Sequence, residues 1–191
     1  GLVGSEMCIR DSITEGHKVF VVFVTRGELC YYAHGYSHVP FNVVARLRIK
    51  EALKALEILG VPYDNIIFLK YPDGSVNNHI DALSNDFLRL LQELEPDIVY
   101  CPHELDEHED HKATNKAFRI ALQKYKGKNN KKILCRFYII WGNREQKNYT
   151  FRLPPEILEK KRTALEKYRS QIALLGQDFF MKFLVSSRYY G

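Results

Sequence analysis

The segment His17–Thr25, HKVFVVFVT, constrains the fold more than any other stretch of the chain. Its apolar residues run without the alternation that a half-solvated strand shows. A continuous β-branched and aromatic run of this kind, set between Gly16 and Gly27, suits a strand buried on both faces. Such strands belong to parallel sheets, whose crossover helices cover both sides. The following sequence supplies those helices. Phe41–Leu59 places apolar residues at Val44, Leu47, Ala52, Leu56 and Leu59, and Gly60 stops it. Asn65–Leu69 predicts a second strand and Tyr71-Pro-Asp-Gly a turn. Asn77–Leu94 predicts a helix that ends before Pro96. Asp97–Cys101 predicts a third strand, Lys112–Tyr125 a helix and Ile133–Trp141 a fourth strand. Tyr149–Arg152 reads as an edge strand, and Pro154–Leu174 as one last helix opened by two prolines. Phe179–Leu184 is short and apolar and is expected to dock on the core.

This alternation predicts an α/β fold: a Rossmann-like, three-layer α/β/α arrangement around a mostly parallel sheet. Ligands then belong at the carboxyl ends of the strands. The length of 191 residues suits one domain. A hydrophobic content of 46% excludes disorder as the main state. No apolar run approaches the roughly 18 residues of a membrane span. The net charge of +5 is mild and sits partly in Lys124, Lys126, Lys128, Lys131 and Lys132, so it does not argue for nucleic acid. The four cysteines form no C-x-x-C pair and suit reduced thiols in a cytoplasmic protein.

Gly1–Ser12, GLVGSEMCIRDS, stands apart. It lacks an amphipathic period and the apolar core of a signal peptide. One codon choice for Leu2–Ser12 spells a transposase-end sequencing adaptor read in frame, so these residues are expected to be foreign. The native domain is then expected to run from Ile13 to Gly191. Ile13-Thr-Glu-Gly-His reads as the end of a helix with Gly16 after it, which implies an earlier strand and helix. The RYYG ending is abrupt enough to suggest a shortened C-terminus as well.

The chemistry concentrates in Cys101–Thr114, CPHELDEHEDHKAT, after a strand and at the start of a helix. Asp106, His108, Asp110 and His111 fall within six residues. Imidazoles and carboxylates at that density suit a metal such as Zn²⁺, with carboxylates orienting the rings. They also suit a solvated acidic helix start. Arg48 and Glu51 lie three apart on a helix, where an ion pair is the simplest reading. His34, His38, Tyr31, Tyr32 and Tyr36 occupy a loop where packing and sugar stacking are both open. Cys101 and Trp141 read as core residues.

Taken in order, EGHKVFVVFVTRGE, RIKEALKALEILGV, YPDG, PDIVYCPHELDEHEDHKAT and KRTALEKYRSQ resemble the PIG-L/LmbE-type N-deacetylases. The likeness covers roughly Ile13 to Gln171. It implies a zinc-dependent hydrolase that removes an N-acetyl group from an amino sugar or its conjugate. By that resemblance His111 is a metal ligand and His108 stabilises the oxyanion. Asp106 is placed with the catalytic residues, as the partner of an imidazole. Asp110 matches an acidic position, Thr25 and Glu28 line the pocket, and Arg48 with Glu51 match a helix motif of unassigned role. The family's A-H-P-D-D-E motif carries two further ligands and the general base, and no H-P-D-D occurs in this sequence. The chain as written is therefore expected to be inactive and its parent active. The alternative is a non-catalytic sugar- or nucleotide-binding module. A nucleotide enzyme with a G-x-G-x-x-G loop is disfavoured, since none is present.

Overall fold

The computed structural model describes residues 13, 16–127, 131–142, 149–151, 155–179 and 187–190. The expected foreign leader and most of Phe179–Leu184 lie outside the described residues. In chain order the elements are β1 (Val21–Thr25), α1 (Cys30–Ala33), α2 (Phe41–Leu59), β2 (Ile66–Tyr71), α3 (Ile80–Leu94), β3 (Ile98–Pro102), α4 (Glu109–Lys126), β4 (Leu134–Tyr138), β5 (Tyr149–Phe151), α5 (Pro155–Leu165), α6 (Arg169–Leu175) and β6 (Ser187–Tyr190). Strands and helices alternate, and both consecutive strand pairs, β1 with β2 and β3 with β4, are parallel. The fold class is therefore the expected mixed α/β. The described strands form two sheets, β1-β2 and β3-β4-β6-β5. The chain divides into two compact units, residues 1–73 with 151–187 and residues 74–150 with 188–191.

In the first unit β1 pairs in parallel with β2, Phe23 opposite Phe68, and their rings stack at 4.7 Å. The register then slips, so that Thr25 faces Tyr71. Lys70 takes up the extra residue in the left-handed region, with φ 63°. Of β1 only Val21 is fully buried, and the other four residues are half-buried. That differs from burial on both faces, because β1 has a single strand neighbour among the described residues. Helix α2 has the predicted bounds. It buries Val44, Ala45, Ala52, Ala55, Leu56 and Leu59 along one stripe and packs on α5. Gly60 ends it at φ 87°, returning its N–H to Glu57 O. The helix expected over Pro154–Leu174 is two helices, broken at 166–168.

In the second unit β3 and β4 run in register, Val99 opposite Cys135 and Cys101 opposite Phe137. β6 adds antiparallel to β4, Tyr189 opposite Tyr138. Helices α3 and α4 pack together, and the core gathers Leu91, Cys101, Phe118, Ala121, Tyr125 and Ile133. β4 stops at Tyr138 rather than at the expected Trp141. The N–H groups of Ile140 and Trp141 go instead to a side chain, Asp106 Oδ2, at 2.7 and 3.2 Å.

Candidate active site

The carboxyl end of β3 leads through residues 103–108 into α4, and this turn carries the His/Asp block. Asp106 is its hub. The side chain is fully buried. Oδ1 accepts the His108 N–H at 3.0 Å, while Oδ2 holds Ile140 and Trp141. One carboxylate thus ties the turn after β3 to the chain beyond β4. His111 Nδ1 lies 3.0 Å from Asp106 Oδ1, close in distance but not aligned as a straight hydrogen bond. Burial pushes the Asp106 carboxyl up, but the His111 contact and the N–H groups of His108 and Ile140 outweigh it. Its pKa falls below the ordinary carboxylate value. Burial lowers the His111 pKa against the raising pull of Asp106, so the ring is neutral at pH 7.

His108 is the N-cap of α4, and its Nδ1 accepts the Asp110 N–H at 3.3 Å. A ring nitrogen that accepts carries no hydrogen, so with Nδ1 accepting the ring hydrogen of His108 sits on Nε2. The two imidazoles stack, centroids 4.7 Å apart and planes at 29°. Capping by His108 also explains why α4 starts at Glu109, earlier than the expected Lys112. Asp110 faces the other way. Its carboxylate accepts the N–H groups of Gly74 at 2.7 Å and Val76 at 3.1 Å. It anchors the loop before α3 and is itself buried. The structure thus brings Asp106, His108, Asp110 and His111 into one turn and gives the two carboxylates positioning work.

The remaining expected residues lie in the first unit. Thr25 Oγ1 donates to Asp73 Oδ1 at 3.1 Å, and the Leu29 N–H reaches Asp73 Oδ2 at 2.9 Å. The Asp73 N–H points at Glu28 Oε1, 3.3 Å away. Asp73 was legible only as a turn residue of Tyr71-Pro-Asp-Gly, yet its side chain organises the turn after β1. Glu28 is 7% exposed, and its Oε2 has no hydrogen-bond partner among the described residues. Arg48 lies against Gly27, which has φ +65°. An ion pair between Arg48 and Glu51, the simplest reading of their spacing, is not among the described contacts. Glu51 is bound to Ser170 instead.

No three His, Cys, Asp or Glu side chains among the described residues form a group that could hold a metal ion. The described set does not by itself fit a zinc centre. No described helix is long and apolar enough to cross a membrane.

Known structures share this architecture. The conserved protein TT1542 from Thermus thermophilus aligns with a TM-score of 0.78 at 20% identity, covering 100% of this chain and 89% of that one. The N,N'-diacetylchitobiose deacetylase from Pyrococcus horikoshii gives a TM-score of 0.76 at 18% identity, over 99% of this chain and 78% of that one. The zinc-inhibited form of teicoplanin deacetylase Orf2 gives 0.72 at 16% identity, over 95% and 85%. At these identities the likeness establishes the fold. Among curated proteins none matches the sequence. The family model for PIG-L, GlcNAc-PI de-N-acetylase, matches residues 2–122. That match takes in β1 through most of α4, including the whole His/Asp turn, and the chain belongs to the PIG-L deacetylase family.

Proposed function

We propose that this domain belongs to a zinc-dependent hydrolase that removes the N-acetyl group of an amino sugar or its conjugate. The observation that carries this reading is the stacked pair His108 and His111, with His108 Nδ1 held by the Asp110 N–H and His111 Nδ1 3.0 Å from Asp106 Oδ1. His108 Nε2–H is then a donor suited to the oxygen that becomes negative when water adds to an amide carbonyl. His111, neutral and steadied by Asp106, leaves Nε2 as a position suited to a metal. Zinc, when bound, would supply an activated water and a polarised carbonyl. The remaining ligands are those the family carries in its A-H-P-D-D-E motif, so the chain as written is proposed to be inactive. In the first unit, Glu28 has a carboxylate oxygen with no hydrogen-bond partner among the described residues, a group suited to a sugar hydroxyl, and Thr25 and Arg48 are proposed as further pocket residues. The deacetylases among the structural relatives support the hydrolase reading, and the zinc-inhibited form of one of them supports only an affinity for a divalent metal.

The test is a zinc titration and an acetate-release assay on N-acetylglucosamine. The chain as written should hold less than one equivalent of zinc and release no acetate. Addition of a relative's H-P-D-D-bearing strand ahead of Ile13 should restore both. In that active form His108→Ala should lower kcat by about 100-fold, the usual loss for one oxyanion donor. Sugar binding without acetate release from the restored form would favour the non-catalytic alternative.

A further inference from the structure

Two residues of α2 one turn apart, Arg48 and Glu51, grip two consecutive residues of α6. Glu51 is buried, and its carboxylate accepts the Ser170 N–H at 2.8 Å and the Ser170 Oγ–H at 2.5 Å. The helix break at 166–168 makes this possible. It places Ser170 in the first turn of α6, where the backbone N–H has no intrahelical acceptor. With the Gln171 amide oxygen facing the guanidinium, it accepts from Arg48 Nη1 at 2.9 Å and also from Nη2. The other face of that guanidinium meets the turn after β1. A Cβ on Gly27 would lie 3.1 Å from each of Arg48 Cζ, Nη1 and Nη2. Three equal distances set a face of the guanidinium over this position, where a Cβ would push it back by a few tenths of an ångström and φ +65° already favours glycine. Glu28 is the next residue.

We propose that Glu51 and Gln171 are positioning residues that hold the Arg48 guanidinium against the Gly27–Glu28 turn, a polar latch between α2 and α6. Glu51 fixes where α6 begins, and that sets Gln171. Gln171 in turn fixes the plane of Arg48, and Arg48 fixes the turn that presents Glu28. The function of the latch rests on the sugar-binding reading given above, while its geometry does not. It gives a joint role to the R-x-x-E and S-Q segments, which are 119 residues apart at Glu51 and Ser170.

The experiment uses the full chain labelled for NMR and N-acetylglucosamine as the probe. Gln171→Ala should expose the Arg48 side-chain N–H groups to fast solvent exchange and shift the Gly27 and Glu28 amides. It should weaken the sugar about tenfold, as expected for a lost hydrogen bond to a charged group, with Tm changed by less than about 2 °C. Gln171→Glu keeps an acceptor for both N–H groups and should restore the Arg48 and Gly27 signals and the affinity. Glu51→Gln, which offers Ser170 a donor in place of one acceptor, should perturb the same signals from the far side of the latch. Unchanged Arg48 and Gly27 signals in Gln171→Ala would overturn the proposal, as would a fall in Tm that Gln171→Glu does not restore. If the unsubstituted chain fails to bind the sugar, the sugar reading falls, and the Arg48 and Gly27 signals still decide the latch.

Discussion

Asp106 ties together two stretches of the second unit, because one carboxylate meets three backbone N–H groups and the His111 ring. Asp106→Ala would leave those donors buried without an acceptor. It should destabilise the chain by about 3 kcal/mol in urea unfolding, at the upper end for hydrogen bonds to a charged group. The pH dependence has a definite sign. The folded pKa lies below the ordinary value, so the contribution is whole above the ordinary carboxylate pKa. It is lost as pH falls through the lower folded value, and Asp106→Asn should remove that part of the acid sensitivity. Unchanged acid unfolding in that variant would contradict the assignment. Lys70 is a different case. Its φ of 63° lies where a side chain is strained and glycine is not. Lys70→Gly should raise stability by up to about 1 kcal/mol, and a loss in the same unfolding assay would show that the Lys70 side chain outweighs the strain. The block around Asp106 was legible because its residue types are dense. The contacts of Glu51 and Asp73 were not, since a carboxylate gripping a distant backbone leaves no local pattern.

Helix α2 was legible to the residue, from an apolar stripe and a glycine at φ 87° that physically ends it. The strand ends were less legible where a side chain, rather than a neighbouring strand, takes the backbone N–H groups. β4 is shortened by Asp106 in this way, and the helix over Pro154–Leu174 is divided where Glu51 takes the Ser170 N–H. Within β3, Cys101 faces the packed core of Phe118, Ala121 and Tyr125. Burial raises its thiol pKa far above the ordinary value, so the reactive thiolate is scarce at any ordinary pH. Burial also raises Cys135, opposite Val99 on the adjoining strand. Alkylation of the folded chain at pH 8 should leave Cys101 unmodified until denaturant is added. Mass spectrometry after proteolysis reads the result, and early labelling of Cys101 would show that the β3–α4 packing opens readily.

Across the whole molecule, burial is unevenly distributed among the elements. In the second unit α4 buries Ala113, Ala117, Phe118, Ala121 and Tyr125 against α3 and β3. In the first unit, β1 keeps four of its five residues half-buried despite the most apolar run in the chain. Among the described residues β1 has one hydrogen-bonded neighbour, and a strand so paired has half its backbone groups outside the ladder. Local opening free energy follows buried apolar contact and hydrogen bonding. The amides of Ala113–Tyr125 should therefore outlast those of Val22–Thr25 in hydrogen–deuterium exchange. The helix should exchange near the limit set by global unfolding and the strand well before it. If Val22–Thr25 exchange as slowly as α4, β1 is protected by more than its pairing with β2. The uneven burial would then be a poor guide to its stability.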